Sequence, residues 1–311
     1  MRPCIDAVEA AFREAAAGLP PESRGVLGIH AQGGGFHIKA ARSPAGFFAV
    51  KMNGNFPGNP RQHGQPTIQG LLFLSDGRTG RPLAVMHSGA LTRIRTAAAT
   101  GVAIRHLSPP HPGTAALIGC GAQAFDQLRA IHAERPGISV RLFDTDHVAA
   151  ESLAVRVAPL LGKAVVVAPS LDAACRGAEI IVTCTPSRRP FLHPALADPG
   201  CLVVAVGADH PEKSEVDPVL LAQSVIITDV TEQCAGFGDL HHALAAGLVT
   251  RGDVRAELGQ VVAAAIAGRR SAGERVVFDS TGTPIQDVAA AELAWRQAVN
   301  TGDGSPLPFD D

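Results

Sequence analysis

The sequence predicts an α/β protein in which a doubly wound parallel sheet is joined to an α+β domain completed by the C-terminal helix. From Thr114 onwards, nearly continuous apolar runs alternate with amphipathic segments, as a parallel sheet covered on both faces requires. Residues 24–49 instead alternate apolar and polar positions between glycines, which favours antiparallel strands. We expect an α+β domain in 1–112, the parallel sheet in 113–280, and in 281–311 a helix that packs back on the first domain.

Composition and charge limit the classes of function. Of the 311 residues, 46% are apolar, the net charge is −2, and the six cysteines form no CxxC pair. No apolar run approaches the length of a membrane span, and no strongly basic field points to nucleic acid. The adjacent His241 and His242 point about 100° apart on a predicted helix, so we expect a structural or surface role for them. We therefore expect a cytoplasmic protein with reduced thiols, no metal, no nucleic-acid partner and no membrane contact.

The elements of the first domain follow from periodicity and from glycine and proline. Apolar residues three and four apart predict a helix over 5–17. Glycine turns predict three antiparallel strands in 24–49, and two further apolar runs predict a hairpin after the long polar loop 53–70. A helix rich in small residues is expected over 92–107, and the prolines after it mark the domain boundary.

A cation lies near the end of each of the three predicted strands: Arg24, Lys39 and Lys51. A single lysine on a strand often does no more than place a charge in solvent. Three cations on one antiparallel sheet, however, favour a site for an anion.

Beyond the boundary, apolar runs and amphipathic segments alternate to the end of the chain. Strands are expected at 115–119, 138–143, 164–167, 179–184, 202–206, 224–228 and 276–278. Helices are expected near 122–134, 147–161, 171–176, 192–197, 216–222, 241–248, 254–267 and 284–299.

One turn in this region matches the dinucleotide-binding fingerprint G-x-G-x-x-[GA]. The apolar run 115–118 stops at Gly119, and Gly121 and Ala124 occupy the other two small positions. Gly119 permits a tight turn, Gly121 lets backbone amides approach a pyrophosphate, and Ala124 allows a helix to pack closely on a strand. A turn that binds no phosphate is the alternative. The strand before the turn and the helix after it favour a Rossmann dinucleotide site.

Asp144 ends the second strand of this region, at about the distance from the turn that the fingerprint requires. Its carboxylate can accept hydrogen bonds from both ribose hydroxyls and would repel a 2′-phosphate. This favours NAD(H), with NADP(H) as the alternative cofactor. A purely structural N-cap for the next helix is the alternative role for this acid.

Polar residues follow two later strands at the edge where ligands of doubly wound sheets bind. Thr185 follows one strand, and Gly207 and Asp209 follow another. Asp209 is a candidate to accept or donate a proton, or to hold an ammonium or iminium nitrogen; capping the next segment is the alternative. Lys213 could pair with Asp209 or reach the cofactor.

Six segments, in order and over nearly the whole chain, resemble one known family, the ornithine cyclodeaminase/mu-crystallin family. They are KMNGNFPGN (51–59), PTIQG (66–70), PLAVMHSGALTRIRTAAATG (82–101), LIGCGAQA (117–124), AVGADHPEKSEV (205–216) and FDSTGTPIQD (278–287). The segments GGFHIKAA, NGNFPGN and GDLHHAL are most similar to its bacterial Δ1-pyrroline-2-carboxylate reductase branch. His87 stands where the family often has an aspartate.

The resemblance implies roles for individual residues. Substrate would be bound by Arg24, Lys51, Arg95 and Thr281, with Lys51 and Asp209 catalytic and Asp209 the general acid/base. The dinucleotide would be bound by Thr67, Arg95, Gly119, Gly121, Ala122, Gln123, Asp144, Thr185, Val206, Gly207, Asp209, Lys213 and Ser280.

Members of the family act at a carbon that bears nitrogen and a carboxylate. The resemblance therefore implies an NAD(P)H-dependent oxidoreductase of C–N bonds that converts a small cyclic ketimine acid, Δ1-pyrroline-2-carboxylate, to L-proline. One alternative is an ornithine or lysine cyclodeaminase that uses NAD catalytically. Others are an alanine dehydrogenase-like enzyme acting on an amino acid, and a protein that holds NAD(P)H and a small ligand without turnover. The family and the apolar N-terminal sheet lead us to expect a homodimer.

Overall fold

The computed structural model describes residues 1–18, 23–163 and 165–307. The chain divides into two compact units. Unit 1 comprises Met1–Ile5 and Thr96–Gly282, and unit 2 comprises Asp6–Arg95 and Thr283–Asp311. The units divide inside one helix, between Arg95 and Thr96, and not at residues 112 and 113, where the sequence predicts the domain boundary.

The bounds of the elements are as follows. The helices are α1 (Arg2–Ala16), α2 (Asn59–Gln62), α3 (Ser88–Leu107), α4 (Ala124–Glu134), α5 (His147–Leu161), α6 (Leu171–Cys175), α7 (Pro218–Ala222), α8 (Thr231–Phe237), α9 (Asp239–Ala245), α10 (Leu258–Val262) and α11 (Pro284–Thr301). The strands are β1 (Arg24–Ala31), β2 (Gly34–Arg42), β3 (Phe47–Asn55), β4 (Ile68–Asp76), β5 (Pro82–His87), β6 (Thr114–Ile118), β7 (Ser139–Phe143), β8 (Val166–Val167), β9 (Ile180–Thr183), β10 (Arg188–Leu192), β11 (Leu202–Val206), β12 (Ser214–Val216), β13 (Val225–Thr228), β14 (Val254–Glu257) and β15 (Val276–Ser280).

Unit 2 is built on an antiparallel sheet in the order β1-β2-β3-β4-β5, so the three predicted strands and the predicted hairpin are confirmed. Alternate residues of each strand share a face. The inner face carries the fully buried Leu72 and Leu74 and packs against α11. The Phe47 and Trp295 rings, 5.7 Å apart between centroids, join β3 to that helix.

Unit 1 contains an eight-stranded parallel sheet in the order β14-β13-β15-β11-β9-β6-β7-β8. The predicted α/β class and doubly wound sheet are therefore confirmed. Its central strands are buried along their whole length, as their continuous apolar sequences require. The chain runs from β6 outwards to β8 and then returns to β9 on the other side of β6, so the topological switch point lies between β6 and β9.

The helix predicted over 254–267 is wrong at both ends, since α10 ends at Val262. Residues 254–257 form the edge strand β14, which pairs with β13, and α10 begins only at Leu258. The short segment has a β-branched start, and periodicity alone cannot separate so short a strand from a helix. Reciprocal hydrogen bonds between Glu257 and Gln260 form a capping box that fixes the start of α10. The segment near 192–197 is a single 3-10 turn, and the pair β10 and β12 was not predicted.

Within the described ranges, no helix is both long and apolar enough to cross a membrane. All six cysteines are free thiols, and five of them are buried.

Candidate active site

The glycine turn of unit 1 lies at the switch point of the parallel sheet, directly after β6. Gly119 has a φ of +99°, a conformation that side chains rarely adopt. A Cβ atom there would lie 2.8 Å from the Cγ2 of Thr185 and 3.0 Å from the backbone of Cys184. Glycine is therefore required for two reasons, and the turn brings Thr185 to the edge of the sheet where ligands bind.

The residues of this turn fit a dinucleotide pyrophosphate. Gly121 and Ala122 are exposed, and a Cβ on Gly121 would meet nothing within 4 Å. The helix α4 begins at Ala124, so the unpaired N–H groups of its first turn lie beside the exposed glycine. The side-chain oxygen of Gln123 is buried without a hydrogen-bond partner among the described residues, so a polar ligand could satisfy it.

Asp144 is joined to the same turn and does not cap the following helix. One carboxylate oxygen of Asp144 accepts a hydrogen bond from the Cys120 N–H at 2.7 Å, and the other accepts one from the Asp146 N–H at 2.9 Å. The cap of α5 is Asp146, which accepts from two N–H groups of the first turn. The helix-capping role that the sequence allowed for Asp144 therefore belongs to Asp146. Asp144 is the acid that lies beside the glycine turn.

Replacing Asp144 by serine is expected to lower the ratio of kcat/KM with NADH to kcat/KM with NADPH by about tenfold or more, since the repulsion of a 2′-phosphate is removed. Steady-state kinetics with both cofactors measures this ratio. The matched control is Asp146→Ser, which removes the neighbouring acid and should leave the ratio unchanged. An unchanged ratio in the Asp144 variant would contradict its role.

Glu215 holds two of the predicted cofactor residues in place. It is fully buried, and its Oε1 accepts hydrogen bonds from the Thr185 N–H at 2.6 Å and from the Thr185 hydroxyl at 2.7 Å. Its Oε2 lies 3.0 Å from Nζ of Lys213, which also donates to the Val206 carbonyl. Burial lowers the pKa of Lys213, but the charges of Glu215 and Asp239 outweigh burial and leave it raised. Lys213 therefore stays charged, and its main partner is Glu215.

Asp209 follows β11 at the same edge of the sheet. The Gly207 N–H donates to the Ser280 carbonyl at 2.7 Å, which joins the ends of β11 and β15 beneath it. Asp209 is half-buried, and its charge contributes to raising the pKa of Lys213. The next helix, α7, is capped by Asp217 and not by Asp209.

Asp229 fixes the predicted substrate and cofactor residues at the end of β15. Its carboxylate accepts hydrogen bonds from the N–H and the hydroxyl of Thr281, both at 2.8 Å, and from the Gly282 N–H at 2.6 Å. The Ser280 hydroxyl donates to it at 3.4 Å, and Gln233 donates to the Thr281 hydroxyl at 2.7 Å. Asp229 is not among the site residues predicted from the sequence, although an acid directly after an apolar strand is a usable signal.

Two further carboxyl groups are buried under this edge. Asp239 accepts from the Glu215 and Val216 N–H groups, and Asp279 accepts from the Leu240 N–H at 2.9 Å. Burial and the charge of Glu215 raise the pKa of Asp239 to about 6. Burial and the charge of Asp239 raise the pKa of Asp279 well above its usual value. Both shifts favour the neutral form of the carboxyl group, and burial favours it at Asp279 as well as at Asp239.

Replacing Asp279 by asparagine is expected to raise the free energy of unfolding by about 1 kcal/mol or more at pH 8. A carboxyl whose folded pKa is raised stabilises the fold while it is protonated, and that stability is lost as pH rises from about 4 towards the folded pKa. The gain should therefore shrink towards pH 5. Urea unfolding at both pH values measures it, with the exposed Asp172→Asn as control. Equal gains at the two pH values would contradict the assignment.

In unit 2, a buried ion cluster joins β3, α3 and α11. Nζ of Lys51 lies 2.8 Å from the Asp287 carboxylate, and Nε of Arg95 donates to the same carboxylate at 2.9 Å. Arg95 also donates from Nη1 to the Gln286 side chain at 3.0 Å. Lys51, Arg95 and Asp287 are only 3%, 5% and 1% exposed, so these charges lie almost wholly out of water. The structure thus brings together Lys51 and Arg95, and adds Asp287 and Gln286.

The sheet register adds a third cation to this cluster. Lys39 is buried and lies directly opposite Lys51 in the β2–β3 ladder, and Arg24 shares their face at the exposed start of β1. Burial lowers the pKa of Lys51 to about 7; Asp287 opposes this shift, whereas Arg95 and Lys39 add to it. Burial raises the pKa of Asp287, but the surrounding cations outweigh burial and leave it lowered. Asp287 is therefore ionised, whereas Lys51 titrates near neutral pH.

Two amide side chains suggest that a polar ligand binds beside these charges. Asn53 lies on the same face of β3, two residues after Lys51, and its side-chain oxygen is buried without a partner among the described residues. The same holds for the side-chain nitrogen of Gln286. A ligand with donors and acceptors, such as a carboxylic acid, would satisfy such groups. The predicted Thr67 lies on the loop before β4, half-buried, where its carbonyl accepts from the Phe56 N–H at 2.8 Å.

The histidines have structural contacts. His241 and His242 bond through ring nitrogens to backbone carbonyls at 3.1 and 2.7 Å. The described residues contain no group of three or more His, Cys, Asp or Glu side chains arranged for a metal. His87 accepts the Ala90 N–H at 3.2 Å and so caps α3, as a carboxylate commonly does.

Comparison with known proteins gives a consistent set of relatives. The model of the ornithine cyclodeaminase/mu-crystallin family matches residues 1–302. The chain is 34% identical to a Δ1-pyrroline-2-carboxylate reductase of Bacillus cereus, covering 79% of this chain and 76% of the relative. It is 35% identical to an iminosuccinate reductase of Paracoccus denitrificans, covering 86% and 81%.

Solved structures that are similar to this chain include enzymes of the same kinds. An archaeal alanine dehydrogenase dimer with bound NAD superposes with a TM-score of 0.92 at 33% identity, covering 99% of this chain and 95% of that one. The Δ1-pyrroline-2-carboxylate reductase of Thermococcus litoralis, in complex with NADH and L-proline, gives 0.91 at 28% identity, covering 98% and 95%. A lysine cyclodeaminase gives 0.85 at 32% identity, covering 99% and 89%.

Proposed function

Since the chain belongs to the ornithine cyclodeaminase/mu-crystallin family, we propose that it is an NAD(H)-dependent reductase of a small cyclic ketimine acid, converting Δ1-pyrroline-2-carboxylate to L-proline. The observation that carries the proposal is the buried Lys51–Asp287–Arg95 cluster, which suits a substrate carboxylate. The glycine turn with Asp144 suits the dinucleotide, and relatives of high similarity were solved with NAD or NADH.

The roles of the residues follow from their chemistry. Lys51 and Arg95 hold the substrate carboxylate through charge-assisted hydrogen bonds, with Arg24 and Thr281 as further contacts. Holding the carboxylate fixes the adjacent imine carbon, which is the orientation contribution to catalysis. Asp209 holds the proton on the imine nitrogen, so the nitrogen becomes an amine as the carbon is reduced. When bound, NADH supplies the hydride to that carbon.

The charge of unit 2 favours an imino acid over a diamino acid. Lys39 and Lys51 lie opposite each other on one strand pair, and the charge of Lys39 is strong enough to lower the pKa of Lys51. Ornithine or lysine would bring a second ammonium group towards these cations, whereas a cyclic ketimine brings none. Cyclodeamination is therefore the second candidate, supported by the similarity to the lysine cyclodeaminase.

A panel of substrates assayed by NADH absorbance tests the proposal. It contains Δ1-pyrroline-2-carboxylate, its six-membered homologue, iminosuccinate, pyruvate with ammonia, ornithine and lysine. We expect the cyclic imines to give the highest kcat/KM. Ammonia release from ornithine without net change in NADH would identify a cyclodeaminase. Tight binding of NADH with no turnover of any compound would identify a non-catalytic binding protein.

The outer face of the unit 2 sheet supports a homodimer. Its large apolar side chains are 38–54% exposed: Leu27, Ile29, Phe36, Phe48, Met52, Leu71, Phe73 and Val85. The register places all of them on the face opposite Lys51. Exposed apolar patches of this kind mark protein interfaces. We propose a second copy of the chain as the partner, as one alanine dehydrogenase relative is a dimer.

Replacing Phe73 by glutamate is expected to convert the dimer to a monomer, because it places a charge in the middle of this apolar face. Light scattering coupled to size-exclusion chromatography measures the mass. The control is Val155→Glu, which places the same charge on an exposed apolar position of α5 in unit 1. A dimer that survives Phe73→Glu would show that this face is not the interface.

A further inference from the structure

Lys51 and Arg95 share a counter-ion that comes from the far end of the chain. Asp287 lies in the first turn of α11, 236 residues after Lys51. We propose that Asp287 is a positioning residue: its carboxylate fixes Lys51 and Arg95 in one orientation and favours the charged form of Lys51, which binds a substrate carboxylate. The substrate part of this inference rests on the proposed function; the part that concerns Lys51 does not.

The geometry restrains both cations. Each carboxylate oxygen of Asp287 lies 2.8 Å from Nζ of Lys51, and one of them also accepts from Nε of Arg95 at 2.9 Å. Gln286 accepts from Nη1 of the same guanidinium at 3.0 Å. Two consecutive residues of α11 therefore hold two of the three guanidinium nitrogens, and the planar fork cannot rotate without losing both bonds.

The electrostatics show why a counter-ion is needed. Lys51 is almost completely buried, and burial disfavours its charged form. The neighbouring cations Arg95 and Lys39 disfavour it further, and like charges directly opposite in a sheet are destabilising. Among the influences on Lys51, Asp287 favours the charged form. Its place in the first turn of a helix of 18 residues also favours its own ionised state.

The protonation of Lys51 depends on Asp287. The pKa of Lys51 is already near 7 with Asp287 in place. Without the carboxylate, burial and the two cations would push the pKa lower, and the amine would be neutral at physiological pH. A neutral amine binds a carboxylate without the charge assistance that the proposed reaction uses.

The chain permits a direct test, because it contains only four lysines: Lys39, Lys51, Lys163 and Lys213. Protein labelled with ¹³C and ¹⁵N in lysine is titrated by NMR, and each side-chain signal is assigned by single Lys→Arg variants. We compare wild type with Asp287→Asn, Asp287→Glu and Arg95→Gln. The matched control is Glu134→Gln, which removes a largely buried carboxylate from an ion pair with Arg105 in unit 1.

Asp287→Asn is expected to move the titration midpoint of Lys51 down by about one pH unit or more. In Asp287→Glu, which keeps a carboxylate, the midpoint should lie between those of Asp287→Asn and wild type. Arg95→Gln, which removes a cation, should move the midpoint up. Glu134→Gln should leave it unchanged. If Asp287→Asn does not fold, the Arg95→Gln titration decides. An unchanged Lys51 midpoint in the folded Asp287→Asn or Arg95→Gln protein would overturn the inference.

Kinetics then test the link to substrate. In Asp287→Asn, KM for the imine acid should rise about tenfold or more at pH 7.5, and the alkaline limb of kcat/KM should move to lower pH. The Kd for NADH, which depends on Arg95 among many other residues, should change by a smaller factor than KM. A decrease in kcat/KM by the same factor at all pH values would overturn the role of Asp287 as a counter-ion. If wild type reduces no compound in the panel, the proposed function fails, and the Lys51 titration still decides the inference about Asp287.

Discussion

Replacing Lys51 by methionine is expected to lower kcat/KM for the imine acid by a factor of about thirty to several thousand, while the Kd for NADH changes less than twofold. Methionine keeps the length and apolar stem of the side chain, so the change removes mainly the charge. Removing one partner of a buried, hydrogen-bonded charge pair costs about 2–5 kcal/mol, which corresponds to this range. Steady-state kinetics and fluorescence titration with NADH measure the two quantities.

The control for this variant is Lys163→Met. Lys163 donates to a backbone carbonyl at 2.7 Å in unit 1, away from the glycine turn in sequence. Loss of NADH binding together with turnover in the Lys51 variant would show a structural role. The wild type has its own signature: because the pKa of Lys51 is about 7, kcat/KM should fall as pH rises through neutrality and the ammonium is lost.

Much of this site could be predicted from local sequence patterns. The glycine turn between a strand and a helix can be predicted from sequence, because the spacing of Gly119, Gly121 and Ala124 reflects the steric demands of one short segment. The alternating strands likewise placed Lys39 and Lys51 on one sheet. The register that sets them directly opposite each other required the structure, since a shift by one residue would separate them onto opposite faces.

The counter-ions could not be predicted in the same way. Asp287 and Glu215 lie within segments that resemble the family, yet no local pattern says which cation each of them contacts. Asp287 reaches Lys51 across 236 residues, and Asp229 reaches Thr281 across 52. Such partners depend on how the strands are ordered in the sheet and on where the last helix packs, which are properties of the whole fold.

The choice between neighbouring acids also required coordinates. Both Asp144 and Asp146 follow β7, and either could cap the next helix on sequence grounds. The hydrogen bonds assign the cap to Asp146 and join Asp144 to the glycine turn. The segment 254–257 is too short for periodicity to distinguish a strand from a helix. Its pairing with β13 shows that it is a strand.

Replacing Asp209 by asparagine is expected to lower kcat by a factor of about 10² to 10⁴, the usual contribution of a positioned general acid or base. Asparagine keeps the size of the side chain but cannot hold a transferable proton. Asp209 is itself among the predicted dinucleotide residues, but asparagine keeps its size and Gly121 and Asp144 are untouched, so the Kd for NADH should stay within a few fold. Rapid mixing of the NADH complex with the imine acid separates the reduction step from product release.

The control for Asp209 lies three residues further along the chain. Glu212 pairs with Arg188 in an exposed salt bridge, so Glu212→Gln changes a charge of the same segment without touching the proposed proton carrier. An exposed pair of this kind contributes little to stability. If Asp209→Asn and Glu212→Gln slow the reaction equally, the decrease in rate results from the lost negative charge of the segment and not from a lost proton carrier. If only Asp209→Asn does, and its kcat loses the pH dependence of the wild type, the proton on the imine nitrogen is held by Asp209.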